Sequence, residues 1–221
     1  MDEANRRFDL IVFDWDGTLM DSTSLIARSL QAAFRDLSLA VPTVEQANHV
    51  IGLGLADAIQ YLAPELPVAD HPRLAERYRH HYLGQDIESE LFAGVPELLA
   101  ALRQDGYNLA VATGKARRGL DRVLTHTGLQ PFFHATRCAD ETFSKPHPQM
   151  LLELMDALFA EPDRTLMIGD TTHDLQMARN AGTHALGLTH GAHPVEELAE
   201  LEPLAILSSI TELQAWLNTN G

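Results

Sequence analysis

Short apolar runs that alternate with helical patterns constrain this chain more than any other feature. Asp9 to Phe13, Asn108 to Ala112 and Thr165 to Ile168 carry no polar face, and weaker runs lie at Phe133 to Arg137 and His184 to Thr189. A strand without a polar face belongs in a parallel sheet covered on both sides. Between these runs lie helical patterns over Pro96 to Gln104, Arg117 to Thr127, Pro148 to Phe159 and Asp174 to Ala181. In the third, Met150, Leu151, Leu154, Met155 and Leu158 recur at three- and four-residue steps, which puts them on one helix face. Strands alternating with helices need right-handed crossovers, so the expected class is α/β with a mostly parallel sheet.

One interval breaks the alternation. From about Asp21 to Gly84 there is no strand signal, and Ser24 to Leu37, Val44 to His49, Ala56 to Leu62 and His71 to Leu83 all read as helices. Pro42, Gly52, Gly54, Pro64 and Pro67 separate them. A chain of 221 residues can hold a domain and a smaller one. The expected division is a core of residues 1–18 and 85–221 with a small α-helical domain, residues 19–84, inserted after the first strand. Hinges are expected near Thr18–Asp21 and Gly84–Ile87.

The charge balance is 16 basic against 31 acidic residues, a net charge of −15. That excess disfavours nucleic acid and anionic membrane as main partners, yet a local field can still favour a small anion. One cysteine, Cys138, excludes an internal disulfide and a cysteine-based zinc cluster, and it reads as a buried thiol at a strand end. Met1 to Arg7 is polar and lacks the apolar stretch of a secretory signal, and no run approaches the ~20 apolar residues of a membrane span. The expectation is a cytoplasmic protein.

Ligands of open parallel sheets bind beyond the carboxyl ends of the strands. Three strands here end in residues capable of chemistry. Asp14-Trp15-Asp16-Gly17-Thr18 ends the first, and Gly17 marks an immediate turn. Its two carboxylates can divide the work of nucleophile and acid/base, hold a hard cation together, or simply end a strand. Gly169-Asp170-Thr171-Thr172-His173-Asp174 ends another strand and opens a helix. Asp170 can add a carboxylate to a cation site begun by Asp14, whereas Asp174 in the first turn can equally cap the helix. Magnesium suits a few carboxylates with water and phosphate oxygens better than calcium does. Thr113-Gly114 precedes a helix, where a hydroxyl and free N–H groups make an anion site, and Lys115, Arg117 and Arg118 follow. Lys145-Pro146 lies in a loop where the ammonium can balance carboxylates and a phosphoryl oxygen. The eleven histidines contain no His-x-x-x-His pair on a convincing helix, so a zinc site is not expected.

Taken together, Asp14-x-Asp16-Gly17-Thr18, Thr113-Gly114, Lys145-Pro146 and Gly169-Asp170 with Asp174 resemble the four signatures of the haloacid-dehalogenase-like hydrolase superfamily. The helical insert resembles the helical-cap subclass, and the nearest branch is similar to phosphoglycolate phosphatases. The resemblance implies a three-layer Rossmann-like core and a Mg2+-dependent phosphatase acting on a small phosphorylated metabolite. It implies that Asp14 attacks phosphorus, forming an aspartyl-phosphate, while Asp16 protonates the leaving oxygen and then deprotonates water. The metal would be held by Asp14, the backbone carbonyl of Asp16, and Asp170. Thr113 and the Gly114 N–H, with Lys115 nearby, would bind the phosphoryl group, and Lys145 would neutralise charge. Asp174 would stand behind them, orienting Lys145 or a metal-bound water. A carboxylate at Asp16 favours phosphate chemistry over dehalogenation. Phosphomutase, pyrophosphatase and a non-catalytic phosphate-binding regulator stand as alternatives, and the protein is expected to be a monomer or homodimer. The segment Ile51-Gly52-Leu53-Gly54-Leu55 takes the place of the family's specificity loop and carries no charge, so Arg73, Arg77 or Lys115 would have to read an acidic substrate. Trp15 is expected to point away from the site.

Overall fold

A computed structural model describes residues 6–221, so the start of the polar stretch, residues 1–5, lies outside the described residues. Its centre is a six-stranded sheet in the order β3-β2-β1-β4-β5-β6, with every neighbouring pair parallel. The strands are β1 (Leu10–Phe13), β2 (Asn108–Thr113), β3 (Ala135–Cys138), β4 (Thr165–Gly169), β5 (His184–Leu188) and β6 (Ala205–Leu207). The helices are α1 (Thr23–Asp36), α2 (Val44–His49), α3 (Leu55–Leu62), α4 (His71–Tyr82), α5 (Val95–Gln104), α6 (Arg117–Thr127), α7 (Gln149–Leu158), α8 (Thr172–Ala181), α9 (Val195–Ala199) and α10 (Ile210–Asn220).

The apolar runs have no polar face because helices cover both sides of the sheet. Alternate residues of a strand point to opposite faces. Ile11, Phe13, Leu109, Val111, Leu166 and Ile168 pack with Leu98 and Leu102 of α5, Leu120 and Val123 of α6, and Leu213 and Leu217 of α10. Leu10, Val12, Ala110, Ala112 and Met167 pack on the other side with Met150, Leu151 and Leu154 of α7 and Met177 and Ala178 of α8. These are the three layers of a Rossmann-like α/β fold. Trp15 is buried in the first of these clusters and Cys138 ends β3 without exposure, both as the sequence suggests.

Three elements escaped the sequence reading. β6 has only three residues, α9 only five, and neither gives a periodic signal. α10 did have one, because Ser209 caps it by accepting a hydrogen bond from the Glu212 N–H, and Ile210, Leu213 and Leu217 follow at helical spacing.

Between β1 and α5 the chain runs through α1 to α4. These helices enclose clusters of their own, one of Ala27, Leu30, Ala47, Val50 and Ala58 and one of Ala33, Phe34, Ile59, Leu74 and Ala75. Leu19 and Met20 pack with the sheet cluster instead, and Met20 bridges Leu91, so the chain leaves the sheet at about Asp21. Arg122 of α6 pairs at 2.8 Å with the fully buried Asp86, which begins a short 3-10 turn on the return connection.

β1 sits between β2 and β4, where the strand order reverses direction along the sheet. That switch point opens a crevice at the carboxyl ends of the strands. Phe13 is in register with Val111 on one side and Ile168 on the other, so Asp14 emerges level with the ends of both neighbours. Leu109 lies near the start of β2 with no exposure. Leu109→Ala is expected to lower the unfolding free energy by about 2–5 kcal/mol, read from a urea titration.

Candidate active site

The crevice collects side chains from three strand ends and one loop. Asp14 follows β1, Thr113 ends β2, Asp170 follows β4, and Lys145 comes from the loop before α7; all are buried. Carboxylate oxygens of Asp14, Asp170 and Asp174 all lie within 4.8 Å of one another. Lys145 stands among them, its Nζ 2.8 Å from Asp14 Oδ1 and 2.6 Å from Asp174 Oδ1.

Each carboxylate is held in its own way. Asp174 is the third residue of α8 and shares a reciprocal cap with Thr171: the Asp174 N–H donates to Thr171 Oγ1, and the Thr171 N–H donates to Asp174 Oδ2. With Oδ2 on the cap and Oδ1 on Lys145, Asp174 does both jobs that the sequence left open. Asp170 accepts from the Thr18 hydroxyl at 2.6 Å and from the Ala192 N–H at 2.8 Å. Gly17 is needed beside it: its φ is +82°, and a Cβ there would collide with the Asp170 carboxylate. Asp14 Oδ2 is different, because it is buried and accepts no hydrogen bond.

Burial pushes the Asp14 carboxyl well above the usual carboxylate range, with Asp174 and Asp170 adding to the rise and Lys145 opposing it. Burial likewise raises Asp170 to about 7, helped by the charge of Asp174. The Lys145 ammonium is penalised by burial, but Asp14 and Asp174 more than offset this and hold its pKa above the ordinary lysine value. Buried carboxylates crowded in this way want more positive charge than one ammonium supplies. An orphaned carboxylate oxygen facing two further carboxylates fits a hard divalent cation with oxygen ligands.

Asp16 points elsewhere. Its carboxylate is outside the trio and accepts from the Ser22 hydroxyl at 2.6 Å and from Lys115 Nζ at 2.9 and 3.0 Å. Its expected share in the metal is through the backbone carbonyl, which leaves the side chain free. Ser22 begins α1 but makes no cap with its side chain, because the hydroxyl serves Asp16 instead. Nothing in the local sequence signals that role. Lys115 is buried and also donates to the Tyr82 hydroxyl at 2.5 Å, whereas Arg117 pairs with Glu141 and Asp121, and Arg118 is exposed. Arg73 is exposed and Arg77 pairs with Asp36 at the surface, so neither reaches the site.

The uncharged loop Ile51 to Leu55 closes over Gly114. A Cβ at Gly114 would lie 2.5 Å from the Leu53 carbonyl oxygen and 2.6 Å from that of Gly52, so only glycine allows this approach. The Gly54 N–H donates to the Ser144 hydroxyl at 2.8 Å, next to Lys145. His49, His173 and His193 meet at the same seam with ring centroids 5.0–5.6 Å apart, and burial lowers the pKa of His173 to about 4. The ring nitrogens of His173 and His193 bond backbone and hydroxyl groups, the His49 carbonyl among them, and among the described residues the three form no metal cluster.

The haloacid dehalogenase-like hydrolase family matches this chain over residues 11–188. The chain belongs to that family. It is a hydrolase, phosphoglycolate-phosphatase-like in sequence. It is 39% identical over 211 residues to a probable phosphatase, IndB, of Dickeya dadantii, covering 92% of this chain and 91% of that one. It is 33% identical to a phosphoglycolate phosphatase of Agrobacterium fabrum, covering 92% and 90%. A crystal structure of a predicted phosphoglycolate phosphatase from Haemophilus somnus superimposes with a TM-score of 0.83 at 28% identity, covering 96% of this chain and 98% of that one. Among the described residues no helix is long and apolar enough to cross a membrane.

The raised carboxyls of Asp14 and Asp170 would make the binding of any cation at the trio depend on pH. Below about 7 the Asp170 carboxyl holds a proton that a cation must displace, and the raised Asp14 carboxyl acts in the same direction, so affinity falls as pH falls. Calorimetric titration with Mg2+ is expected to give an apparent Kd weaker by roughly tenfold or more at pH 5.5 than at pH 8. Equal affinity at both values would contradict the trio as the binding site.

Proposed function

We propose that this protein is a Mg2+-dependent phosphatase that hydrolyses a small phosphorylated metabolite through an aspartyl-phosphate. The observation that carries the reading is the buried meeting of Asp14, Asp170, Asp174 and Lys145 at the switch point of the sheet, in a chain of the haloacid dehalogenase-like family. Residues 1–18 and 85–221 act as the core domain and residues 19–84 as a cap that closes over the site.

Asp14, Asp170 and the Asp16 backbone carbonyl would hold the cation, which when bound supplies the charge that keeps the carboxylates ionised and screens the phosphoryl oxygens. A carboxylate oxygen of Asp14 attacks phosphorus as the ester P–O bond breaks. Asp16 gives its proton to the leaving oxygen. It then takes a proton from water as that water attacks phosphorus, and the bond to Asp14 breaks to release inorganic phosphate. Thr113 and the Gly114 N–H orient the phosphoryl oxygens, with Lys115 nearby, and Lys145 balances their charge. Asp174 fixes Lys145 through the 2.6 Å ion pair. Positioning and charge balance carry most of the rate in phosphoryl transfer, and Asp16, Lys145, Asp170 and Asp174 are each held by partners before substrate arrives. The closed loop over Gly114 keeps bulk water out during the first step. The single cysteine is buried, with its thiol pushed up to about 12, which suits a reducing compartment, and the cytoplasm is the location we infer.

Asp14→Asn tests the nucleophile. Phosphatase activity with Mg2+ is expected to disappear while the melting temperature is kept, because Lys145 retains its ion pair with Asp174 and one of three mutually repelling carboxylates is removed. A variant that stays active removes the assignment. Asp16→Asn tests the acid: its kcat on alkyl phosphates is expected to fall by about tenfold or more beyond its fall on nitrophenyl phosphate, whose leaving group needs no proton. Equal losses on both would take the acid role away from Asp16.

A further inference from the structure

His49, His173 and His193 stand where the helical insert meets the core, and His193 does more there than fill the seam. It lies in the loop between β5 and α9, and its side chain is 1% exposed. Its Nδ1 is 3.0 Å from the backbone nitrogen of Thr172, the first residue of α8, and its Nε2 is 3.2 Å from the carbonyl oxygen of His49, the last residue of α2. A backbone N–H can only donate and a carbonyl can only accept, so the two bonds together fix the tautomer, with Nδ1 bare and the proton on Nε2. One neutral ring thus joins the start of a core helix to the end of an insert helix. Both backbone groups need such a partner, because the first N–H groups and the last carbonyls of a helix have none within it. The His49 ring stacks on His193 with centroids 5.4 Å apart and planes 3° from parallel, and the His49 carbonyl accepts a second bond from His173 Nε2 at 2.7 Å.

The backbone of the same loop reaches the acidic trio. The His193 N–H donates to the Asp170 carbonyl oxygen at 3.3 Å, and the Ala192 N–H donates to Asp170 Oδ2 at 2.8 Å. His190 Nε2 bonds the Thr18 carbonyl at 3.2 Å, and the Thr18 hydroxyl donates to Asp170 Oδ1. Residues 190–193 therefore wrap Asp170 and set where its two oxygens lie. Through the His193 ring this loop is also tied to the insert. The apolar clusters of the insert are separate from those of the sheet, so lifting the insert breaks the Nε2 bond and the ring stack without opening the core. The loop around Asp170 then loses a fixed point.

We propose that His193 is a positioning residue that couples the seating of the insert to the placement of Asp170, so that a divalent cation binds the trio more tightly when the insert is seated and holds the insert down in return. This rests on the cation site of the phosphatase reading above. Binding linkage is reciprocal: the factor by which a seated insert tightens the cation is the factor by which the cation favours the seated insert.

Two variants separate the two sides of the ring. The amide of asparagine overlays the Nδ1 side of an imidazole, and that of glutamine overlays the Nε2 side. His193→Asn keeps an acceptor for the Thr172 N–H but falls short of His49, whereas His193→Gln keeps a donor for the His49 carbonyl. Purified full-length protein is titrated with Mg2+ by calorimetry, and hydrogen exchange of the peptide carrying Gly54 is followed by mass spectrometry with and without Mg2+. The Gly54 N–H donates across the seam to the Ser144 hydroxyl, so lifting the insert opens it to water. Saturating Mg2+ is expected to slow this exchange by about tenfold in wild type. His193→Asn is expected to bind Mg2+ about tenfold more weakly and to lose the Mg2+ effect on exchange, and His193→Gln to keep most of both. Wild-type behaviour in His193→Asn overturns the proposal, and so do equal losses in the two variants, which would leave His193 a packing residue. The wild-type exchange needs no variant to fold: Mg2+ that binds without slowing it overturns the proposal and leaves the cation site standing. A wild type that binds no Mg2+ fails the cation site itself, which separates the two failures.

Discussion

Three carboxylates buried within a few ångströms of one another repel, and Lys145 is the group that lets Asp14, Asp170 and Asp174 stay there. Its ammonium is fully buried and ion-paired to two of them. Removing one partner of such a pair leaves a charge stranded in low dielectric, which costs about 3–5 kcal/mol. Even with Lys145 in place the balance is incomplete: burial and mutual repulsion hold Asp14 and Asp170 above the ordinary range. Buried carboxyls left above their ordinary range favour a further cation among them. That unbalanced charge is what a stable core would avoid, and it marks the place where the fold has been shaped for chemistry rather than for stability.

The sheet makes the concentration of charge possible. Parallel strands all end at one edge, and the reversal of strand order at β1 and β4 leaves that edge uncovered by helices. Asp14 and Asp170 follow neighbouring strands and Thr113 ends the strand on the other side, so the register of β1 with β2 and β4 sets their spacing. Side chains on loops would wander by more than a catalytic geometry tolerates, and of Asp14, Thr113, Lys145, Asp170 and Asp174 only Lys145 lies away from the end of a strand or the first turn of a helix. It is pinned by ion pairs to Asp14 and to Asp174, whose own position is set by the cap of α8.

The helical insert contributes by covering. Its loop carbonyls reach Gly114, its Gly54 N–H binds Ser144, and its Tyr82 binds Lys115, so core and insert share polar contacts all around the crevice. The apolar clusters of the insert are separate from those of the sheet. Polar contacts that exchange with water are cheap to break and remake compared with buried apolar area. This division of forces suits a cover that opens for substrate and closes for chemistry.

Much of this was legible in the residues alone. Apolar runs without alternation told of a covered parallel sheet, because burial on both faces leaves no room for polar side chains. Helical spacing placed α2 and α6 to the residue, and polar residues just past apolar runs marked Asp14, Thr113 and Asp170 as strand-end groups. β6 was too short to leave a pattern. The partners of Asp16 were also hidden: Lys115 stands 99 residues away in sequence, and Tyr82 reaches it from another helix. Periodicity and turn chemistry are local, so the chain itself fixes its elements and the kinds of group at their ends. Which of those groups meet depends on how separated elements pack, and only the folded chain decided that Lys115 faces Asp16 while Arg73 and Arg77 face water.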